Sequence, residues 1–263
     1  SGSFRLFQIV KILAKTPNVH ITYIARNGGH GDRYVKLLTD MGVKVFHTDQ
    51  EKLYSFDFTV VKSPINLKYI LSQQHYHYAF LSFYEIAIQY LPEIRLYSPD
   101  TRILIDTVDI HFLRETRQAE LYDDKKLLEK AHNTKKNELD IYQRADALIT
   151  VTDQDADVIR PYSPDKPIFI IPNIHPVKKG ERPFKDRNGI IFIGNYHHTP
   201  NVDAVEYLLR DIQPKLHKKG LSIPIQIIGD GLPDKIKNLG DKNVLFTGWV
   251  PETRPYLENA RIS

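Results

Sequence analysis

The chain of 263 residues has no cysteine. Disulfides, zinc–thiolate centres and thiol nucleophiles are therefore excluded, and a reducing compartment is consistent with the composition. It has one methionine and one tryptophan. No apolar run approaches the ~20 residues of a membrane-spanning helix, and no secretory leader is visible. A charge stripe of one sign is missing too. The 36 Lys and Arg are interspersed with 32 Asp and Glu, leaving a formal net charge of +4. Nucleic-acid binding is not favoured by that pattern, whereas an anionic ligand or a membrane surface stays open. There is no P-loop, no GxSxG elbow and no HExxH motif. His75/His77 and His197/His198 lack companion ligands along the chain, so no metal is expected.

What is present is an ordinary globular composition, 41% hydrophobic and 26% charged, arranged as alternating short apolar runs and amphipathic stretches. That alternation predicts an α/β protein with parallel sheets. Phe4 to Leu13 reads as a helix with Ser3 as its cap, and Val19–Ala25 as a strand. Asn27-Gly28-Gly29-His30-Gly31 is a glycine-rich loop without GxGxxG spacing, followed by a helix from Arg33 and a strand at Val43–Phe46. A helix is expected from Pro64, a strand at Ala79–Leu81, and a helix from Tyr84 to Tyr97 that Pro92 kinks or breaks. Arg102–Asp106 is a strand that delivers an acid to its end. The charged segment from Leu113 to Arg144 reads as one long amphipathic helix with a solvated face. Strands at Ala147–Thr152 and Ile168–Ile171 follow.

Pro172 to Arg187 lacks helical periodicity and reads as a linker region. The expected division is a first domain over 1–174, a linker over 175–187 and a second domain over 188–263. In the second, Ile190–Ile193 is a buried strand, Gly194-Asn195 a turn, and Thr199 or Asn201 the start of a helix. Ile225–Ile228 leads into Gly229-Asp230-Gly231, and Val244–Phe246 into Gly248-Trp249-Val250. Ala260 to Ser263 reads as the turn into one more strand.

Two groups of residues have chemical potential. Asp109, His111, Arg114 and Arg117 follow a buried strand; Asp109 can orient His111, His111 can donate to a hydroxyl or phosphate, and the arginines can meet an anion. The glycine turns at Gly2-Ser3, Gly194-Asn195 and Gly229–Gly231 suit a phosphate group, because glycine admits close backbone approach and a helix N-terminus favours negative charge. His197 and His198 can add donors. Plain capping and turn formation account for either group equally well on local pattern alone.

The order of these motifs resembles the family-4 (group 1) glycosyltransferases. The resemblance rests on Gly2-Ser3-x-Arg5, Asp109-Ile110-His111-x-x-Arg114 and Ile171-Pro172-Asn173. It rests further on Phe192-Ile193-Gly194-Asn195-Tyr196-x-His198-x-Pro200-Asn201, Ile228-Gly229-x-Gly231 and Phe246-x-Gly248-Trp249-Val250. It implies a GT-B architecture of two Rossmann-like domains, with the first strand of the N-terminal domain and the end of the C-terminal one outside this chain. It implies retaining, metal-independent transfer from a UDP- or GDP-linked sugar to a carbohydrate or lipid-linked acceptor. By the same likeness His111 and Asp109 would be catalytic. Gly2, Ser3, Gly194, Asn195, His198, Gly229, Asp230, Gly231, Trp249 and Val250 would hold the nucleotide-sugar. Polysaccharide biosynthesis in the cytoplasm, with peripheral contact at a membrane inner face, is the implied setting. The family's basic pair after the first C-domain strand is replaced here by His197 and His198, and its E-x7-E segment would follow Ser263. A GT-B nucleotide-sugar epimerase and a non-catalytic nucleotide-sugar-binding subunit are the alternatives.

Overall fold

Among the described residues, nine short strands of three to five residues each pair only in parallel. In this computed structural model, residues 2–25, 32–47, 65–177 and 179–263 are described. The expected loop at Asn27–Gly31 and the helix start at Pro64 lie outside them. The chain forms two units, Ser1–Pro176 and Val177–Ser263.

In the first unit, α1 (Gly2–Leu13) precedes β1 (Thr22–Ala25), α2 (Asp32–Thr39) and β2 (Lys44–His47), and the two strands pair with each other. α1 begins before Ser3, so Ser3 is inside the helix and is not its cap. Gly42, at φ +80°, closes α2 as expected. A second sheet has the order β3 (Tyr78–Ser82), β4 (Arg102–Asp106), β5 (Ala147–Thr150), β6 (Ile168–Ile170). Ile103, Ile105 and Leu148 of its central strands are fully buried, which is what a continuous apolar run in a parallel sheet requires. They pack against Leu91 and Ile94 of α4 (Tyr84–Tyr97) and Ile141 and Tyr142 of α6 (Lys125–Arg144). Between β2 and β3 lies α3 (Leu67–Ser72), capped by the Asn66 side chain.

Two helical expectations are corrected. α4 runs unbroken through Pro92. Both Pro92 and Ile88, whose carbonyl Pro92 cannot satisfy, are on the exposed face, so water can serve that carbonyl. The charged segment is two helices, α5 (His111–Tyr122) and α6, packed as a hairpin. Asp123 takes the left-handed conformation at φ +49°, and the Asp124 carboxylate caps α6 by accepting from the Lys126 and Leu127 amides. After β5, α7 (Asp153–Ile159) is capped by Thr152.

The second unit is built on β7 (Ile190–Ile193), β8 (Ile225–Ile228) and β9 (Val244–Gly248) in that order. Ile262 bridges to Ile190 on the open side of β7, so the last residues do enter a strand position. α8 (Thr199–Tyr207) continues through a wider π-helical turn (Leu208–Ile212) into α9 (Gln213–Lys218). The short α10 (Asp234–Lys237) follows β8, and α11 (Arg254–Asn259) follows β9. Val205, Leu209, Ile225, Ile227 and Ile236 form its core.

Candidate functional site

Parallel strands all end at one edge, and the turns that leave them gather the polar residues there. In the second unit the register sets Ile193 beside Ile228 and Ile228 beside Gly248. The three predicted turns are thus neighbours. Gly194 donates its N–H to Ile228 O at 3.0 Å, and Gly229 donates to Gly248 O at 2.9 Å. The contact between the first two turns is so close that a Cβ on Gly229 would lie 1.7 Å from the Gly194 carbonyl oxygen. Gly229 also takes φ +134°, which leaves glycine as the residue that fits. Gly231, at φ +82°, lies under the His197 ring.

These turns border a cavity of about 330 Å³ lined in part by Tyr196, Gly229, Asp230, Gly231, Lys237 and Gly248. Its volume is within the range of small-molecule pockets. Tyr196 is buried and donates its hydroxyl to Ile228 O at 3.0 Å. Burial pushes its phenol up to about 12, so it remains a neutral donor. Asn195 accepts from the His197 amide at 3.1 Å, and Asn201 donates to Asn195 O at 2.9 Å, which fixes the turn. His198 occupies the N-cap position of α8 without a capping side-chain bond. Pro200 has no N–H and the Asn201 amide donates to His198 O at 3.0 Å, so in the first turn the Thr199 amide is the donor left for a ligand.

Of the expected residues, Gly229, Asp230 and Gly231 line the cavity, Gly194, Asn195 and His198 do not, and the remaining two are placed elsewhere again. Val250 packs with Ile191, Ile228 and Ala260, and Trp249 is 72% exposed. Neither lines the cavity. Lys237 and Tyr196 were missed by sequence reasoning. Lys237 sits on a helix of four residues, too short to show periodicity.

In the first unit, Gly2 and Ser3 open α1. Two residues on, Arg5 is 1% exposed; it donates to Asp106 at 2.5 Å and to Ile171 O at 2.7 and 2.9 Å. The start of α1 is thereby tied to the ends of β4 and β6. Burial raises the Asp106 carboxyl above its ordinary value, and Arg5 only partly offsets this. Beyond Asp106, Val108 holds φ +61°, a costly conformation for a β-branched residue.

That strained turn presents His111 at the start of α5. Its Nδ1 is 3.1 Å from Asp109 Oδ1, within ion-pair reach but without hydrogen-bond geometry. Glu85 and Glu138 each stand 3.7 Å from the ring nitrogens. The Tyr84 and Phe83 rings meet it edge-on. Burial opposes the imidazolium, but Glu138, Asp109 and Glu85 together outweigh it, and the His111 pKa is raised. Arg114 is taken up by Asp109 at 2.8 Å, so it serves the orienting acid instead of an anion. Glu85 and Glu138 are further residues that sequence reasoning missed. The available signal for Glu138 was an acid in the apolar register of α6. Among the described residues no group of three or more His, Asp and Glu is arranged to hold a metal ion.

Comparison with known proteins places the second unit. Residues 187–263 match the family described as Glycosyl transferases group 1. No curated protein sequence matches the chain. Among solved structures, the chain is similar to TarM at 16% identity and TM-score 0.54, over 73% of this chain and 37% of that one. It is similar to sucrose-phosphate synthase of Thermosynechococcus elongatus at 12% identity and TM-score 0.56, over 91% and 73% respectively. A TarM variant of S. aureus, solved with fondaparinux, alpha-GlcNAc-glycerol and UDP, matches at 16% identity and TM-score 0.51, over 73% of this chain and 38% of that one. The chain thus spans little more than a third of TarM. These likenesses show the fold, the parallel α/β architecture of GT-B glycosyltransferases.

Proposed function

We propose that this protein moves a sugar from a UDP- or GDP-linked donor to a carbohydrate or lipid-linked acceptor, as a retaining, metal-independent glycosyltransferase resembling family 4. The observation that carries the reading is that the Gly194, Gly229–Gly231 and Gly248 turns converge at the strand ends of residues 187–263, where Gly229–Gly231, Gly248 and Lys237 line a cavity. The N-terminus of α8, with its Thr199 amide, and Lys237, which would turn from its 2.9 Å pair with Asp234, would supply positive potential for a diphosphate. The UDP and sugar compounds named with the TarM variant support the same ligand class.

The chemistry required is cleavage of the bond between the sugar anomeric carbon and the diphosphate oxygen, with formation of a bond to an acceptor hydroxyl oxygen whose proton passes to the departing diphosphate. Aligned donors stabilise the charge left on the diphosphate. In the first unit, His111 is the group that meets the donor sugar, and Asp109 orients it. Gly2 and Ser3 contribute backbone donors at the start of α1. The reading extends to polysaccharide assembly in the cytoplasm beside a membrane face. No helix among the described residues is long and apolar enough to cross a membrane.

The test is transfer from a panel of nucleotide-sugars by wild type and His111→Ala. The variant is expected to lose transfer by ~10²-fold or more with unchanged circular dichroism. Near-normal transfer by the variant would remove His111 from the mechanism. Donor turnover to a free epimerised sugar nucleotide would favour the epimerase reading instead.

A further inference from the structure

Glu138 lies in the middle of α6 with its side chain 0% exposed. It belongs to the apolar stripe of that helix, with Ala131, Thr134, Ile141 and Tyr142 buried beside it. A carboxylate in such a place persists only if every acceptor is used. Oε1 accepts from the His111 amide at 3.1 Å and from the Tyr142 hydroxyl at 2.7 Å. Oε2 accepts from the Phe112 amide at 3.0 Å. Ile110, at the N-cap position of α5, has no capping side chain of its own. The cap comes instead from an acid 27 residues downstream. It places negative charge at the helix N-terminus, where the dipole favours it.

We propose that Glu138 is the positioning residue for His111: by binding the first two amides of α5 it fixes the backbone from which the imidazole projects, and it sets the charge against which that ring works. The inference rests on the reading of His111 as the group that serves transfer. It has two consequences. First, the N-terminus of α5 is already filled, so an anionic part of a substrate finds its donors elsewhere. Second, the proton on His111 is favoured by carboxylates of unequal weight. The groups facing it are Glu85 and Tyr84 from α4, Asp109 from the preceding loop, Arg114 through Asp109, and Glu138 with Tyr142 from α6. Asp109 is 44% exposed and screened by water, whereas Glu138 is fully buried and is not.

The experiment is a histidine-selective NMR pH titration of the full chain, with the His111 signal identified by its loss in His111→Ala. Glu138→Gln keeps the shape and removes the charge. His111 should bind its proton about tenfold more weakly in that variant, and Glu138→Asp should restore part of the difference. The acid–base limb of the kcat profile should move with the NMR titration, with the donor KM nearly unchanged. A merely structural role would lower thermal stability and leave the His111 titration where it was, and that result in folded Glu138→Gln would overturn the proposal. If Glu138→Gln does not fold, Glu138→Asp decides: a weaker His111 proton affinity than wild type supports the proposal, and an identical one overturns it. Absence of transfer in wild type would sink the functional reading and leave the NMR result standing by itself.

Discussion

Single residues decide the chemistry at both strand edges. Gly229 combines φ +134° with a carbonyl oxygen 1.7 Å from where its Cβ would be. Unlike a surface glycine, it has no room to relax without separating β7 from β8. Gly229→Ala should therefore destabilise the second unit by ~2 kcal/mol or more, because steric overlap adds to backbone strain of order 1–3 kcal/mol. Urea denaturation checks this, and a variant as stable as wild type would show that the two turns are not in contact. Arg5 is a different case. Its guanidinium is buried with Asp106 and the Ile171 carbonyl, so it organises the strand ends and is itself closed to a ligand. Arg5 falls within the Gly2-Ser3-x-Arg5 motif, yet the motif alone gave no sign that this residue is structural.

At the scale of elements, α5 shows what pattern reading can and cannot recover. Its start reads from the sequence at Leu113, two residues inside the true start at His111. Its end is not legible, because Asp123-Asp124 looks like more charge on a solvated face until one Asp turns left-handed and the other caps α6. Likewise Glu138 was counted among the solvated acids, although its helical phase put it on the buried side. Strands were the easier part: Ile103, Ile105, Ile225 and Ile227 are fully buried, and continuous apolar runs announce such strands directly. Contacts made by residues far apart in sequence, such as Arg5 with Ile171 or Gly229 with Gly194, have no local signal at all. The charge on α5 also predicts a pH dependence. His111 has a folded pKa above its ordinary 6.5. Its protonation thus favours the folded form fully below about pH 6.5, and that contribution is lost as pH rises through the folded value. The urea midpoint should fall over this window in wild type and stay level in His111→Gln. Equal slopes in the two proteins would show that His111 is not held as an imidazolium.

Across the whole molecule, both units follow one plan. Parallel strands end in short turns, and helices begin at those turns with donors or buried acids at their first residues. The first unit uses its helix start for His111 and fills it with Glu138; in the second, no side chain caps α8, and the turns after β8 and β9 line a cavity. This difference is why we propose nucleotide binding for the second unit. The match of residues 187–263 to Glycosyl transferases group 1 agrees with that proposal, and fold likeness to TarM and sucrose-phosphate synthase covers the wider chain. The most direct measurement is isothermal calorimetry and thermal shift of the full chain with UDP, GDP and ADP, alone and sugar-linked, at fixed ionic strength. At a hundredfold excess over Kd, binding adds about 2.7 kcal/mol to stability, a rise of roughly 5–10 °C. One nucleoside diphosphate should give that rise in wild type and none in a folded Gly231→Ala variant. A folded chain that none of these nucleotides stabilises would contradict the account.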